Sequence, residues 1–475
     1  MDGNMTNRPN FIIVFPDQWR GDCLGINGHP TVQTPFLDHL ASDGVLFTCA
    51  YSAAPTCIPA RACLATGQTP STHGRLGYQD GVPWNYHTTL MSCLRNGGYQ
   101  TLQAGKTHFY PQRAALGFEE MRLYEVPIHH PGFESDYHYW IQNQTGGRIQ
   151  DVARQADPNT WVVKTWDHNE AYHCTNWIVD SGIELLTRRD PTRPFFLQLG
   201  IHRPHAPYDP PKAYYDQYAD CDLEDVPVGD WAEIYDCPTR DVGCWQGRLP
   251  KKTLDQTRRA YYASITHIDY QIGKLFNWLR VHRLLENTYI LFLSDHGEQL
   301  GDHCQFRKAT PFEGSAKIPM ILYPPKGSHF NRGVICNNPV THMDIMPTVL
   351  ELANVAIPDS VEGKSLVPLL QGVSDGWREY VHGEHANRTH GWQYLTDGKE
   401  KYIWETLSGK ELFFDMVNDP QEKQNKAGNS AYAARVTRWR ERLIANLALR
   451  PQDGLSDGHV LLPGKVLPNV RSGDV

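Results

Sequence analysis

The sequence lacks the marks of several protein classes. None of its 11 cysteines forms a C-x-x-C pair, which argues against a zinc cluster, and their odd number argues against a closed disulfide framework. The thiols read as reduced. No apolar run is long enough to span a bilayer, so no membrane partner is expected. The polar start, Met1-Asp2-Gly3-Asn4-Met5, has neither the charged nor the apolar region of an export signal. The chain therefore reads as cytoplasmic if it is complete, and as periplasmic or secreted if a leader was removed. A formal net charge of −8 gives no electrostatic case for a nucleic-acid partner. No internal repeat or low-complexity tract stands out.

What remains is a 475-residue globular chain, 40% hydrophobic and 21% charged, with 13 Trp and 23 Tyr. The continuous apolar run Phe11–Phe15 suits a strand buried on both faces, and Phe195–Leu199 and Tyr289–Leu293 read as further strands. They alternate with helical patterns. Thr34-Pro35 opens one, with Leu37, Leu40 and Ala41 inward; Leu90 to Asn96 is another. The longest, Thr253 to Leu285, carries Tyr261, Ile265, Ile268, Ile272, Leu275 and Leu279 at helical spacing. Such alternation predicts an α/β sandwich with a mostly parallel sheet. Residues 118–170 lack clear periodicity and read as a long, ordered loop region or insertion rich in His, Tyr, Trp and Gly, including the pair His129-His130. Trp140, Trp161, Trp166 and Trp177 read as packing residues.

The texture changes near residue 375, which divides the chain into a catalytic region, 1–375, and a C-terminal subdomain with a tail, 376–475. Tyr394 to Trp404 and Glu411 to Asp415 suit short antiparallel strands. Val436, Trp439, Leu443 and Leu447 mark a closing helix, and the Gly/Pro-rich tail from Pro451 is expected to wrap on a neighbouring subunit of a homo-oligomer.

Chemistry-bearing residues follow the strands. Asp17, Lys106 with His108, His202 with His205, and Asp295 with His296 each come just after one. In open α/β sheets ligands sit beyond the carboxyl ends of strands, so these segments should meet at one edge. Asp17, Asp295 and His296 suit a divalent cation, with Gln18 or the Cys57 position completing the shell. Mostly oxygen donors favour calcium, and the histidine leaves room for manganese or magnesium. Arg61, Lys106 and Lys308 are the cations an oxyanion needs; His108 and His205 are candidate proton carriers. Cys57 precedes Pro59 and Arg61 at a helix mouth, where free N–H groups gather anions. A buried structural thiol is the alternative reading of Cys57.

Cys57-x-Pro59-Ala60-Arg61 with Leu64-Ala65-Thr66-Gly67 resembles the signature of the type I sulfatases. Gly105-Lys106-Thr107-His108 resembles their second motif, and Pro204-His205-x-Pro207, Ser294 to His303 and Lys308 continue the match in order. Pro9-Asn10 to Gln18, Thr34 to Asp38, Pro347-Thr348 and Glu411 to Pro420 extend it over residues 8–425. The resemblance implies an alkaline-phosphatase-like sandwich: a large, mostly parallel sheet flanked by helices, then a smaller subdomain with a short antiparallel sheet and a helix. It implies that a formylglycine-generating maturase oxidises Cys57 to formylglycine, whose hydrate attacks the sulfur of a sulfate ester, with Asp295 assisting. Arg61, Lys106, His108, His205 and Lys308 would be catalytic. Asp17, Gln18, Asp295, His296 and residue 57 would hold the metal. Lys106, His205, Lys308, His202 and His385 would contact the substrate, a small-molecule or oligosaccharide sulfate, with a sugar sulfate favoured by the aromatic and polar insertion. Arg307 reads as a surface or specificity cation.

There are departures. Gln18 stands where many members carry a second Asp, and His296 where many carry Asn; both resemble the branch of choline sulfatases and phosphonate monoester hydrolases. Two alternatives follow: a phosphonate monoester or phosphodiester hydrolase, and a non-catalytic binding member.

Overall fold

The computed structural model describes residues 8–126, 132–157, 159–237, 239–240, 244–387 and 390–471. His129-His130 lies outside them. The central sheet has eight strands in the spatial order 334–336, 45–47, 320–323, 288–293, 10–14, 195–200, 100–105, 120–123. Asn10–Val14 pairs in parallel with both Phe195–Gly200 and Thr288–Leu293, and Gln100–Gly105 continues the parallel run. Met320–Tyr323 alone runs against its neighbours.

The apolar runs are sandwiched as their composition requires. Ile12, Val14, Leu197 and Leu199 face one core, while Phe11, Ile13, Phe15 and Phe196 face the other. Each such side chain contributes about 1.5–3 kcal/mol of burial, so the middle of the sheet is the rigid part of the molecule. The long helix spans Lys251–Val281 and presents Tyr261, Ile265, Ile268, Ile272, Leu275 and Leu279 to the first core. No described helix is long and apolar enough to cross a membrane.

One expectation needs correction. Residues 118–170 are not simply a loop: Glu120–Leu123 is the edge strand, and Asp136–Thr145 is a helix capped by Ser135. Its buried face is Tyr137, His138, Ile141 and Thr145, a mixed aromatic and polar set that hides the helical period. Trp166 and Trp177 do pack in the core, with Trp140 against it. The tail from Pro451 packs in part on its own chain: Val470 bridges Arg75, and Asn469 O accepts from Leu76 N and Gly77 N at 2.8 and 2.9 Å.

A second sheet is an antiparallel meander of Val381–Asn387, His390–Thr396, Glu400–Glu405 and Glu411–Asp415. One face takes the Ala433–Ala448 helix through Val436, Trp439, Leu443 and Leu447. The other, with Trp392, Tyr394, Ile403 and Phe414, packs on Tyr51, Trp231 and Phe312. This contact seats the second sheet beside the segment that leads to Cys57.

Candidate active site

Parallel neighbours end at the same edge of a sheet, so the residues after them converge. Asp17 follows the 10–14 strand, Lys106 and His108 the 100–105 strand, His202 and His205 the 195–200 strand, and Asp295 and His296 the 288–293 strand. Cys57 arrives from a helix, Cys57–Thr66, all ten residues of which are buried. Gly67 ends this helix at φ 67°, a left-handed conformation that glycine adopts without strain, and its N–H donates to Cys63 O.

Asp17, Cys57, Asp295 and His296 each offer one ligand atom, all within 4.8 Å of one another and all buried. Cys57 Sγ is 3.2 Å from His296 Nε2 and 3.5 Å from Asp17 Oδ1. His296 donates Nδ1–H to Gly297 O at 2.8 Å, which leaves the Nε2 lone pair facing Asp17 Oδ1 and Asp295 Oδ1, each at 3.6 Å. Burial lowers the proton affinity of this imidazole. A lone pair aimed at two carboxylate oxygens is repulsive unless a cation lies between them, so the donor set fits a divalent metal.

The surrounding charges are positive. Lys106 Nζ is 2.6 Å from Asp17 Oδ2, and one Arg61 nitrogen lies 3.2 Å from Asp17 and 3.0 Å from Asp295. Burial alone would raise the Asp17 carboxyl; the cations Lys106, Arg61 and Lys308 outweigh it and hold the group well below the usual range. Burial likewise opposes the Lys106 ammonium, and Asp17 reverses that, leaving its pKa raised.

Gln18 and Lys308 close the other side. Gln18 stands at φ 69° and donates Nε2–H to Glu298, while its Oε1 accepts from Lys308 Nζ at 2.7 Å. Lys308 Nζ is also 2.7 Å from His205 Nε2. His205 Nδ1 donates to Ala206 O, so Nε2 is the acceptor in that pair. Burial, then Lys308, holds His205 well below its usual range.

The remaining candidates divide. His108 is buried, with its backbone N–H held by Glu125 Oε1 at 3.0 Å. The His202 ring is 4.9 Å from that of His205, and neither of its nitrogens has a hydrogen-bond partner among the described residues. His385 is buried in the second sheet; the preceding Glu384 N donates to Ala53 O, near the Cys57 helix mouth. Arg307, read as a surface or specificity cation, is buried rather than at the surface, on a strand, 305–307, that pairs with Cys244–Gln246. The sequence reading missed Glu298 and Glu125. Glu298 lies inside a quoted motif, whereas Glu125 lies 17 residues beyond His108 in no motif; both bind backbone N–H groups of the loops that carry the charged side chains.

A family model described as sulfatase matches residues 9–355. The chain belongs to the sulfatase family. A second model, described as the C-terminal part of N-sulphoglucosamine sulphohydrolase, matches residues 301–448 of this sulfatase. An arylsulfatase of Clostridium perfringens is 41% identical, covering 96% of this chain and 98% of its own. A choline-sulfatase of Rhizobium meliloti is 28% identical, covering 89% and 83%. The crystal structure of a phosphonate monoester hydrolase of Agrobacterium radiobacter superposes with a TM-score of 0.79 at 26% identity, covering 94% of this chain and 96% of that one. The alkaline-phosphatase-like architecture expected from the motifs is thus the architecture of the molecule.

Proposed function

We propose that this sulfatase hydrolyses sulfate monoesters to an alcohol and inorganic sulfate, with residue 57 as nucleophile after oxidation of Cys57 to formylglycine. The position of Cys57 carries the reading: Sγ lies at a helix mouth, 3.2 Å from His296 Nε2, inside a ring of Asp17, Asp295, Arg61 and Lys106. A thiol is a poor attacker on a sulfate ester; the hydrated aldehyde supplies an oxygen nucleophile. Conversion of a thiol to an aldehyde is an oxidation and calls for a formylglycine-generating maturase.

Asp17, Gln18, Asp295, His296 and residue 57 would hold the metal, with Ca2+ favoured by the oxygen donors and Mn2+ or Mg2+ as alternatives. When bound, it supplies positive charge beside the sulfate oxygens. Lys106 and Lys308 add fixed cations for the charge that develops on those oxygens. Arg61 pins the Asp17 and Asp295 carboxylates in place. The proton for the departing alcohol comes from the Lys308–His205 pair, in which the ammonium already donates toward His205 Nε2. His108 takes the proton lost from residue 57 when sulfate leaves and the carbonyl re-forms.

The natural substrate class we propose is a sulfated sugar, supported by the N-sulphoglucosamine sulphohydrolase C-terminal model across residues 301–448. A second reading, phosphonate ester hydrolysis, is favoured by Asp17-Gln18 and Asp295-His296 and by the phosphonate monoester hydrolase fold match. Comparison of kcat/KM on an aryl sulfate and an aryl phosphonate monoester decides between them. The sulfate reading expects higher efficiency on the sulfate; the reverse order overturns it.

A further inference from the structure

One buried histidine of the site has a carboxylate partner that no motif contains. His108 Nε2 is 3.3 Å from Asp80 Oδ1, and the other Asp80 oxygen accepts from the Tyr78 hydroxyl. The Tyr78 ring meets the His108 ring edge-on, with centroids 5.8 Å apart. The opposite ring nitrogen, Nδ1, is buried and has no hydrogen-bond partner among the described residues. A neutral imidazole carries one N–H, and a carboxylate can only accept. The proton therefore sits on Nε2, and the Nδ1 lone pair is the free one.

Asp80 is itself held from an unexpected quarter. The segment 74–78 lies between the second sheet and the C-terminal tail. Ala386 N donates to Leu76 O at 2.8 Å, and a side chain at Gly77 would strike Ala386 O. On its other edge Asn469 O accepts from Leu76 N and Gly77 N, Asn469 Nδ2 donates to Tyr78 O at 2.8 Å, and Arg471 N donates to Gly74 O at 2.9 Å. Residues 469–471 thus act as a strap over the stretch that delivers Tyr78 and Asp80.

We propose that Asp80 is the positioning residue for His108, fixing its tautomer and ring orientation so that the buried Nδ1 keeps its lone pair free, and that the strap Asn469–Arg471 sets the position of Asp80. The proposal rests on the reading of His108 as the acceptor of the proton lost when sulfate departs. The side chain of Asp80 is 31% exposed, so a small carboxylate from solvent can reach its place. The role parallels that of the buried acid behind a catalytic histidine in a triad: it touches neither substrate nor nucleophile.

The test uses full-length protein with residue 57 converted and saturating Ca2+, assayed on an aryl sulfate. Single variants Asp80→Asn and His108→Ala and the double variant form a cycle. His108→Ala should lower kcat about 10²-fold or more, as loss of a general base does, and Asp80→Asn about 10- to 100-fold with KM little changed. In the His108→Ala background, Asp80→Asn should cost less than about 2-fold, because the two act as one unit. Formate should restore part of the kcat of Asp80→Gly but none of that of Asp80→Gly/His108→Ala, a rescue that a folding defect would not show. Asn469→Ala should lower kcat in the same direction and lose its effect without His108. An unchanged kcat in Asp80→Asn, or an equal loss from it with and without His108, overturns the proposal alone. A wild-type kcat in His108→Ala overturns the reading of His108 and the proposal with it.

Discussion

Lys308 Nζ stands 2.7 Å from Gln18 Oε1 and 2.7 Å from His205 Nε2, so one ammonium joins the metal side of the site to the proton-donor side. The Gln18 amide can serve this way only if its oxygen faces Lys308. Glu298, which accepts from Gln18 Nε2 and from Leu300 N, fixes that orientation. A neutral residue at this position leaves the ammonium free to donate to His205.

Placing an acid at position 18 should therefore harm this enzyme. In Gln18→Asp a new carboxylate would face Glu298 and neutralise Lys308. We expect kcat/KM on an aryl sulfate to fall about 10- to 100-fold. Glu298→Gln should recover part of it, since an amide can donate to the new acid. Steady-state kinetics of the two single variants and the double variant measure this. Additive losses would show that Glu298 does not set the Gln18 orientation.

Lys106 has no substitute. Its ammonium is 2.6 Å from Asp17 Oδ2 in a dry site, where a fixed charge is worth more than in water. Lys106→Met should lower kcat/KM by about 10²- to 10³-fold, the cost of one preorganised donor to a developing anion. Lys106→Arg should stay impaired, because the guanidinium is broader and its donors diverge. Full activity in either variant would remove Lys106 from the reaction.

Metal removal should be visible in stability as well as in activity. Asp17, Asp295 and His296 bring lone pairs together at 3.6 Å, which costs free energy once the cation is gone. Chelation should lower the thermal midpoint. Added Ca2+ should restore it in proportion to the logarithm of its concentration, with about 2.7 kcal/mol gained at 100 times Kd. In Asp295→Asn the dependence should weaken strongly. A midpoint indifferent to chelator and to Ca2+ would argue against a metal at this site.

Acid should weaken the fold through His73, which packs 3.3 Å from Cys63 Sγ and accepts from Arg75 N. Burial, with help from Arg75, pushes its pKa down to about 3. The folded chain thus refuses a proton that the unfolded chain takes up below about pH 6.5. Stability falls as pH drops through that window, by about 1.4 kcal/mol per unit from this group alone. His73→Asn should be less stable than the parent at pH 7.5, and its deficit should shrink by about 2 kcal/mol at pH 5. Denaturant midpoints at the two pH values, with Ca2+ held saturating, would check it; a constant deficit would contradict it.

Much of the site was legible because its residues follow strands buried on both faces. Phe11–Val14 or Tyr289–Leu293 can only be central strands, and the polar residues just after them must share an edge. The supporting residues were not legible. Asp80 lies after no strand, and nothing near it signals a partner 28 residues away. The hydrogen bond from Asn469 to Tyr78 spans 391 residues and has no local pattern. The Asp136–Thr145 helix was hidden because His138 and Thr145 fill core positions, made tolerable by Asp151 and by Ile141 O. Periodicity counts apolar residues and cannot see a polar group that is satisfied inside.

The central claim is that Cys57 acts only after conversion to an aldehyde, and one measurement tests it most directly. Preparations made with and without a maturase would span a range of conversion, read from the mass of the peptide that contains residue 57. Specific activity on an aryl sulfate should rise in proportion to the converted fraction and extrapolate to zero at no conversion. Full activity in a preparation whose Cys57 is entirely thiol would contradict the account.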